Sequence, residues 1–423
     1  MTPPRRAAVA FIFVTLLLDS LALGVSVPVL PKLVLRFESG NSADAATVFG
    51  LFGTAFSAMQ FLFAPVLGAL SDRLGRRPVI LLALFGLGLD YVVMALAPSL
   101  GWLFAGRLLS GACAANFSTA SAYIADVTPP EERAKSFGML GAAFGVGFVI
   151  GPALGGVLGD INLRLPFWVA AALTLANAAY GFWVLPESLP PERRSRFDWR
   201  QANPIGALRL VARYRHVLGL VAVLFLYRVA HDVQPSMWVL YTDYRYHWDA
   251  RTVGLMLALM GVLGAITSAT LVGPIVRTLG ERKALVFGLL CGTTGFAIYG
   301  LAPTSLLFTA GIPFVAGWFV SGPAAQTLLT SRVDPSEQGR LQGAIASVQG
   351  VASVIAPGLF TGVFAAAIAR PGAELPGAPF LLAAALLLAS AAVAWRATRS
   401  GPPRRPTRES ADEQRGEAER STG

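Results

Sequence analysis

Six ionisable side chains lie within long apolar segments of this 423-residue chain, where charge is unusual. They are Asp19, Asp90, Arg107, Arg228, His231 and Asp232. A charged side chain at the centre of a bilayer costs about 2.5–3.5 kcal/mol on insertion scales, so such residues are functional candidates by default. Carboxylates and imidazoles can exchange protons, and a guanidinium group can hold an anion. The set therefore predicts proton transfer and ion pairing inside a membrane.

The composition requires a bilayer around these residues. The chain is 54% hydrophobic and 14% charged, whereas a soluble domain has about 25% charged residues. A spanning segment needs about 20 apolar residues and must be helical, because lipid offers the backbone no hydrogen bonds. We predict an all-α polytopic membrane protein of twelve spans, helices 1 to 12 below. Their ranges are 7–30, 47–70, 79–97, 101–125, 137–159, 166–185, 216–241, 251–273, 284–302, 304–330, 341–367 and 378–397.

The depth of the charged groups suggests which of them meet. At 1.5 Å per residue, Asp19, Asp90 and Arg228 are expected roughly 16–18 Å from the inner face, and Arg107 about 9 Å from the outer face. Asp19 or Asp90 can therefore pair with Arg107. The pair is either part of a proton carrier or a fixed ion pair that holds helices 1 and 4 together.

A second charged group lies on helix 7. Arg228 and Asp232 are four residues apart, which allows a local salt bridge within the helix. His231 adds an imidazole that titrates near neutral pH. We predict that the three residues contribute to proton coupling or bind a polar group of a substrate. The alternative is an internally neutralised patch that only orients the helix.

Charge asymmetry between the loops predicts the orientation. With both termini in the cytoplasm, 26 of the 34 lysine and arginine residues fall in inner segments and 6 in outer loops. The net charge of +10 thus needs no nucleic acid partner. The first apolar run reaches about Leu30 and carries Asp19, so we interpret it as a retained helix rather than a signal peptide. The expected location is the cell (inner) membrane.

The chain divides into four regions. We predict a six-helix half at 1–185, a cytoplasmic loop at 186–215, a second six-helix half at 216–397 and a disordered tail at 398–423. The loop can include a short amphipathic helix at 204–215. A weak repeat supports two related halves, because Gly68 and Gly75-Arg76-Arg77 recur as Gly273 and Gly280-Glu281-Arg282.

Six motifs follow one another along the N-terminal half. They are LDSLALGVSVPVLP (18–31), GALSDRLGRRP (68–78), LDYVVMALAP (89–98), GRLLSG (106–111), YIADVTPPEERAKSFG (123–138) and GAAFGVGFVIGPALGG (141–156). With these motifs the chain resembles the major facilitator superfamily, and within it the tetracycline/proton antiporters. The resemblance covers almost the whole chain. It implies a twelve-helix fold of two pseudo-symmetric halves that exports small molecules in exchange for protons.

The resemblance also implies roles for particular residues. The charged loop is expected to close a gate against the other half, and helix 5 to border the interface between halves. The gating candidates are Asp72, Arg73, Arg76, Arg77, Asp126, Arg133, Gly151 and Pro152. Plain positive-inside charge and ordinary packing of small residues are the alternatives. The candidates for the substrate path are Gln60, Asn116, Ser118, Arg228, Gln234 and Gln326. The alternative for Arg228 is the local salt bridge with Asp232, and each of the others can instead make an interhelical hydrogen bond.

The C-terminal half departs from the tetracycline antiporters. They carry an acid in helix 9, to which the resemblance gives a coupling role, and the matching position here is about Gly292. The histidine and glutamine of their helix 8 correspond to about Gly264 and Ser268. Proton coupling is therefore expected to use other residues, and tetracycline is one of several drug-like or amphipathic substrates to consider.

Other functional classes fit the sequence less well. The chain has no G-x-S-x-G, H-E-x-x-H or Walker A motif, so we expect no enzyme. Cys113 and Cys291 lie in apolar runs, which predicts neither a metal site nor a disulfide framework. We expect no cofactor beyond the proton gradient, and partners limited to a small-molecule substrate, protons and the lipid bilayer, with the monomer as the working unit. A proton-coupled nutrient symporter on the same fold is the alternative function.

Overall fold

The structure, a computed structural model, describes residues 3–114, 116–195, 218–333, 337–369 and 374–399. These ranges are helices joined by short turns, and none of their residues forms a β-strand. The predicted amphipathic helix at 204–215, most of the predicted central loop and almost all of the predicted tail lie outside the described residues.

The N-terminal half contains six membrane-crossing segments. Helix 1 is Pro3–Ser26 with a short continuation, Leu30–Phe37, and helix 4 is broken into two pieces. The others are helix 2 (Ser42–Leu74), helix 3 (Arg76–Leu96), helix 4 (Leu100–Cys113 and Asn116–Val127), helix 5 (Arg133–Ile161) and helix 6 (Leu165–Val184).

The C-terminal half contains six more, several of them interrupted. Helix 7 is Leu218–His231 and Val233–Tyr246, and helix 8 is Ala250–Ile266 with a π-helical turn at Thr267–Leu271. The segment Val272–Leu301 completes helix 8 and, after a kink at Gly280, forms helix 9. Helix 10 (Ser305–Ala310, Ile312–Trp318 and Ser321–Thr330), helix 11 (Gln338–Ile368) and helix 12 (Ala378–Ala397) follow.

The observed segments confirm the predicted fold of twelve helices in two halves. Among the described residues, nine helices are long and apolar enough to cross a membrane. One of the nine, Ala250–Leu301, is 52 residues long and holds both helices 8 and 9. Helices 4 and 7 are not among the nine. The predicted spans of helices 4, 7 and 10 are present, and each is divided into two or three shorter helices.

The two halves share a backbone feature at the repeated motif. Gly75, between helices 2 and 3, has a φ of 109°, and Gly280, between helices 8 and 9, has a φ of 74°. Side chains with a Cβ rarely adopt this left-handed region, so glycine is required at both turns. The same turn at the same point of each half supports the repeat found in the sequence.

The halves contact each other through their predicted outer and middle portions. Helix 2 packs on helix 11, where a Cβ on Gly53 would lie 2.7 Å from Pro357 Cβ. Helix 5 packs on helix 8, where a Cβ on Gly254 would lie 3.0 Å from Gly156 Cα. Such separations are shorter than van der Waals contact, so only glycine allows these backbones to approach this closely.

Contact between the halves ends towards the predicted cytoplasmic face. A Cβ on Gly68, Gly138, Gly141 or Gly343 would have no described atom of another element within 4 Å. These glycines lie at the predicted cytoplasmic ends of helices 2, 5 and 11, the same helices that touch farther along their length. Among the described residues, the halves are therefore in contact at the predicted outer end and apart at the predicted cytoplasmic end.

Candidate functional site

A buried acid and a buried guanidinium group meet in the N-terminal half. Asp90 on helix 3 is fully buried, and its Oδ2 lies 3.7 Å from Nη2 of Arg107 on helix 4, whose side chain is 10% exposed. This distance is too long for a hydrogen bond, so the two groups form a loose ion pair. Gly106 makes the space, because a Cβ there would lie 2.6 Å from Asp90 Oδ1.

The surroundings of Arg107 are mostly apolar. Its guanidinium carbon lies 5.3 Å from the ring centroid of Phe56 on helix 2, which is a cation–π contact. Its Nη2 also donates to the sulfur of Met94 at 3.4 Å. A charge held in so apolar a setting depends on its counter-ion, so protonation of Asp90 would leave Arg107 poorly compensated.

Asp19 belongs to the same region. It lies half-buried on helix 1, near enough to Tyr91, the residue after Asp90, for an electrostatic interaction. The sequence left open whether Asp19 or Asp90 pairs with Arg107. The ion pair of Arg107 that the structure shows is with Asp90 and joins helices 3 and 4.

The C-terminal half holds the second charged group at the break in helix 7. Asp232 Oδ1 lies 3.2 Å from Arg228 Nη2 and 3.1 Å from His231 Nδ1. Arg228 also donates from Nε to Ser353 Oγ on helix 11 at 2.8 Å. The local salt bridge expected from the spacing is present, and it is joined by contacts to another helix.

The break itself has a local cause. Pro235 has no N–H to donate to the carbonyl of His231, and its ring crowds that carbonyl, so helix 7 cannot continue regularly. The first piece ends at His231 and the second begins at Val233. Asp232 between them places one carboxylate oxygen within reach of both Arg228 and His231. Discontinuous helices of this kind often form binding sites in transporters.

The indole ring of Trp318 occupies the space beside Gly292, the position that corresponds to the helix 9 acid of the resembled antiporters. A Cβ on Gly292 would lie 2.8 Å from Trp318 Cγ and 2.7 Å from Leu387 Cδ1, so no carboxylate fits there. Trp318 on helix 10 in turn packs against Tyr227, with ring centroids 4.6 Å apart, and His231, at 5.9 Å. A Cβ on Gly264 would likewise lie 2.8 Å from the ring of Phe319. Two adjacent aromatics thus replace polar residues in helices 8 and 9.

Three of the residues predicted to gate, Asp72, Arg76 and Asp126, form a network of ion pairs around the loop after helix 2, here called the gate network. Arg76 Nη1 lies 2.5 Å from Asp72 Oδ1, and Arg76 Nε lies 3.2 Å from Asp126 Oδ2 on helix 4. Glu187, at the start of the central loop, accepts a 2.9 Å hydrogen bond from the backbone N–H of Arg76. Ser195 donates its backbone N–H to Asp72 O at 3.1 Å.

None of the described partners of this gate network belongs to the C-terminal half. Arg77 donates to Phe182 O on helix 6 at 2.6 Å, and Arg133 donates to Thr128 O and Ala125 O at the end of helix 4. Arg73 is exposed. Because the halves are apart at this end, closure of a gate between them stays a prediction for the opposite conformation.

Gly151 and Pro152 lie where helix 5 fits between helices 1 and 8. A Cβ on Gly151 would lie 2.7 Å from Gly24 Cα on helix 1. On the other side, a Cβ on Gly254 of helix 8 would lie 3.1 Å from the carbonyl carbon of Pro152. Helix 5 therefore borders the interface between halves, as the resemblance implies.

The residues predicted for the substrate path differ in their surroundings. Gln234 is buried and donates to the sulfur of Met260 at 3.1 Å, so interhelical bonding explains it. Gln60 is half-buried and Gln326 is exposed. The side chains of Asn116 and Ser118 lie outside the described part of the chain.

The sequence analysis missed an ion pair between the two halves. Lys32, at the outer end of helix 1, pairs with Asp243 of helix 7 and donates to Trp248 O at 2.6 Å. No other ion pair among the described residues joins the halves. Lys32 was counted only as an outer-loop charge, and a distant partner leaves no local sequence pattern.

Comparison with known proteins decides the family. The model for the Major Facilitator Superfamily matches residues 12–357 and 233–421. The chain belongs to the major facilitator superfamily. This assignment confirms the fold class, the transporter class and the existence of a small-molecule substrate, and it agrees with the expectation that the chain is no enzyme.

Several superfamily members resemble the chain over most of its length. Tetracycline resistance protein, class C, from Escherichia coli is 37% identical over 359 residues, covering 85% of this chain and 90% of that protein. The class G protein from Vibrio anguillarum is 37% identical over 349 residues, covering 82% and 88%. The crystal structure of the human organic anion transporter TETRAN is 27% identical, with a TM-score of 0.68 and coverage of 93% and 100%.

Proposed function

We propose that this chain exports small drug-like or amphipathic molecules, tetracycline-like compounds among them, in exchange for protons by alternating access. Support comes from relatives of 37% identity that are named tetracycline resistance proteins. The proposal includes an inner-membrane location with both termini in the cytoplasm, a monomeric working unit and no cofactor beyond the proton gradient. The charge asymmetry of the loops supports the orientation.

The observation that carries the proposal is the loose ion pair of Asp90 and Arg107. A carboxylate that is fully buried in a membrane helix costs free energy, so it is a functional candidate by default. At 3.7 Å the pair is not locked by a direct hydrogen bond, so protonation of Asp90 breaks no tight contact. The pair can therefore alternate between an ionised state and a protonated state.

The change in charge can bias the conformation. When Asp90 is ionised, Arg107 is compensated and helices 3 and 4 are held together. When Asp90 is protonated, Arg107 needs another acceptor, and Asp19 on helix 1 is an acid in the same region. Because helix 1 packs on helix 5, which in turn packs on helix 8, a shift of helix 1 reaches the interface between halves.

Alternating access requires that the outer end and the cytoplasmic end of the transporter close in turn. The present conformation is closed at the outer end by helix contacts and by the Lys32–Asp243 pair. The gate network of Asp72, Arg76 and Asp126 lies at the open end. In the opposite state we propose that it meets the C-terminal half.

A proton-coupled nutrient symporter on the same fold remains the alternative function. The direction of transport separates the two. Everted membrane vesicles that accumulate drug when acidified inside indicate export by antiport, because drug enters as protons leave. A symporter would instead carry substrate out of these vesicles together with the protons.

The test of the proton carrier uses Asp90→Asn and Asp19→Asn in everted vesicles loaded with a pH gradient. We expect each variant to lower tetracycline- or drug-driven proton release at least about ten-fold, because amides cannot exchange the proton. Exchange of labelled for unlabelled drug, which moves no net proton, should survive. Asp160→Asn is the matched control, since Asp160 is an exposed acid near the outer end of helix 5.

Two results would contradict the proposal. Full proton release in both variants would mean that other groups carry the proton. Equal loss of drug exchange and proton release, with normal abundance, would mean that the acids only hold the helices in place.

A further inference from the structure

Arg228 presents a positive charge at the interface between the halves. Its side chain is 38% exposed, whereas its counter-ion Asp232 is 7% exposed. Its partner Ser353 lies three residues after Gly350 on helix 11, and a Cβ on Gly350 would touch Phe61 of the N-terminal half. The opposite face of helix 7 packs on helix 12, where Ser390 donates to Val223 O. Arg228 therefore lies on the side of helix 7 that faces the N-terminal half, and its exposed fraction of 38% marks a gap between the halves at this point.

The guanidinium group retains hydrogen-bonding capacity. Its Nε donates to Ser353 Oγ, and its Nη2 lies 3.2 Å from Asp232 Oδ1 in an ion pair. Within the described residues, the remaining N–H groups, including both on Nη1, have no protein partner. A guanidinium fork with free parallel donors matches the two oxygens of a carboxylate or a related acid.

Asp232 does not cancel this capacity. Its Oδ1 is shared between Arg228 and His231, and its burial keeps its charge away from the gap. His231 is 36% exposed and presents its ring next to Arg228. The exposed atoms of this ion pair are thus those of the guanidinium group, whereas the carboxylate lies behind it.

An aromatic wall adjoins the charge. Tyr227 is half-buried and is backed by Trp318, whose ring centroid lies 4.6 Å away. Trp318 also backs His231 and is held by Gly292, where a larger side chain would collide with it. Rings that are fixed from behind form a preorganised surface for a flat apolar ligand.

From this arrangement we propose that helices 7, 10 and 11 form a binding site for planar aromatic molecules that carry an acidic group. Arg228 binds the acid, and Tyr227 and His231, held by Trp318, contact the ring. The inference rests on the proposed transport function and names the substrate class of that path. In this proposal Asp19 and Asp90 of the N-terminal half exchange the proton, and the C-terminal half binds the substrate.

The test measures binding of 2-naphthoate to the full chain in lipid nanodiscs by calorimetry, with protein-free nanodiscs as the blank. The comparison ligand is 2-naphthylmethylammonium, which has the same ring system and the opposite charge. We expect the unmodified protein to bind the anion at least about ten-fold tighter. Arg228→Gln should weaken binding of the anion by at least about ten-fold, because charge-assisted hydrogen bonds are lost, and it should not weaken binding of the cation.

Three further variants test for misfolding and for the role of the aromatic wall. Arg251→Gln is the matched control, since Arg251 is an exposed arginine at the outer end of helix 8, and it should bind both ligands normally. Arg228→Lys keeps the positive charge beside Asp232 but loses the fork, so it should bind 2-naphthoate with intermediate affinity. Trp318→Leu should weaken 2-naphthoate more than cyclohexanecarboxylate, which has the acid without the flat ring.

The outcomes separate this inference from the proposed function. Equal or tighter binding of the cation, or equal effects of Arg228→Gln and Arg251→Gln, would overturn the site. Drug-driven proton release without binding of 2-naphthoate would sink the inference and leave proton-coupled export standing. Selective binding of 2-naphthoate without any proton release would support the site and sink the proton coupling.

Discussion

Removal of the Lys32 charge should open the outer end of the transporter. Lys32 and Asp243 join the two halves, with side chains 13% and 25% exposed, and Lys32 also holds Trp248 O at 2.6 Å. An exposed ion pair contributes about 0.2–1 kcal/mol, and a hydrogen bond to a charged group about 1.5–3 kcal/mol. For this partly exposed pair we expect Lys32→Met to lose about 1–2 kcal/mol of the outer closure, which corresponds to about a 5- to 30-fold shift in population.

Cysteine labelling can report this shift. Thr54 lies in the closed outer interface, where a Cβ on Gly358 would be 3.3 Å from its Oγ1. In a background with Cys113→Ser and Cys291→Ser, Thr54→Cys should react with an impermeant maleimide added outside the cell about 5- to 30-fold faster when Lys32→Met is present. Asn41→Cys, at the N-cap of helix 2, should label from outside at the same rate in both backgrounds.

The pair also offers internal controls. Arg36→Met removes an exposed cation from the same short helix and should not change the labelling of Thr54→Cys. Asp243→Asn should act in the same direction as Lys32→Met, and the double variant should open the outer end by less than the sum, because both remove one interaction. Equal rates with and without Lys32→Met, or an equal effect of Arg36→Met, would refute the reasoning.

Two other predictions concern the gate network and helix 5. Asp72→Asn should reduce drug transport at least about ten-fold at unchanged abundance, because it removes a carboxylate that lies 2.5 Å from Arg76. Near-normal transport would mean that the charges of the gate network only set the orientation of the protein in the membrane. Gly151→Ala should destabilise the purified protein by about 1–3 kcal/mol through overpacking against Gly24, whereas Gly145→Ala, at an open position, should leave the melting temperature unchanged. Equal melting temperatures would show that helices 1 and 5 can separate without cost.

The family resemblance and the local patterns were most reliable within single segments. The hydropathy of each segment fixed the number of spans, because a bilayer core about 30 Å thick demands about 20 apolar residues from any helix. The pair of Arg228 and Asp232 was also predictable, since residues four apart on a helix are neighbours. The break of helix 7 at Asp232 was not predicted, because the apolar segment continues past it. Pro235 is the residue from which the break could have been predicted.

Contacts between segments were decided by the tertiary structure. Whether Arg107 meets Asp19 or Asp90 depends on how helices 3 and 4 are rotated and on the space that Gly106 leaves, and neither follows from spacing along the chain. The pairing of Lys32 with Asp243 joins residues 211 positions apart and depends on which end of the transporter is closed.

By itself, the sequence determined a bilayer protein of twelve spans with charge at mid-depth, because hydropathy and charge are properties of each residue where it stands. Only the tertiary structure decided that Trp318 occupies the space beside Gly292, the position that corresponds to the helix 9 acid of the resembled antiporters, and that Arg228 lies at the interface between the halves beside an aromatic wall. Those features arise from helix rotation and from close approach at glycine, which depend on the neighbouring helices rather than on the local sequence.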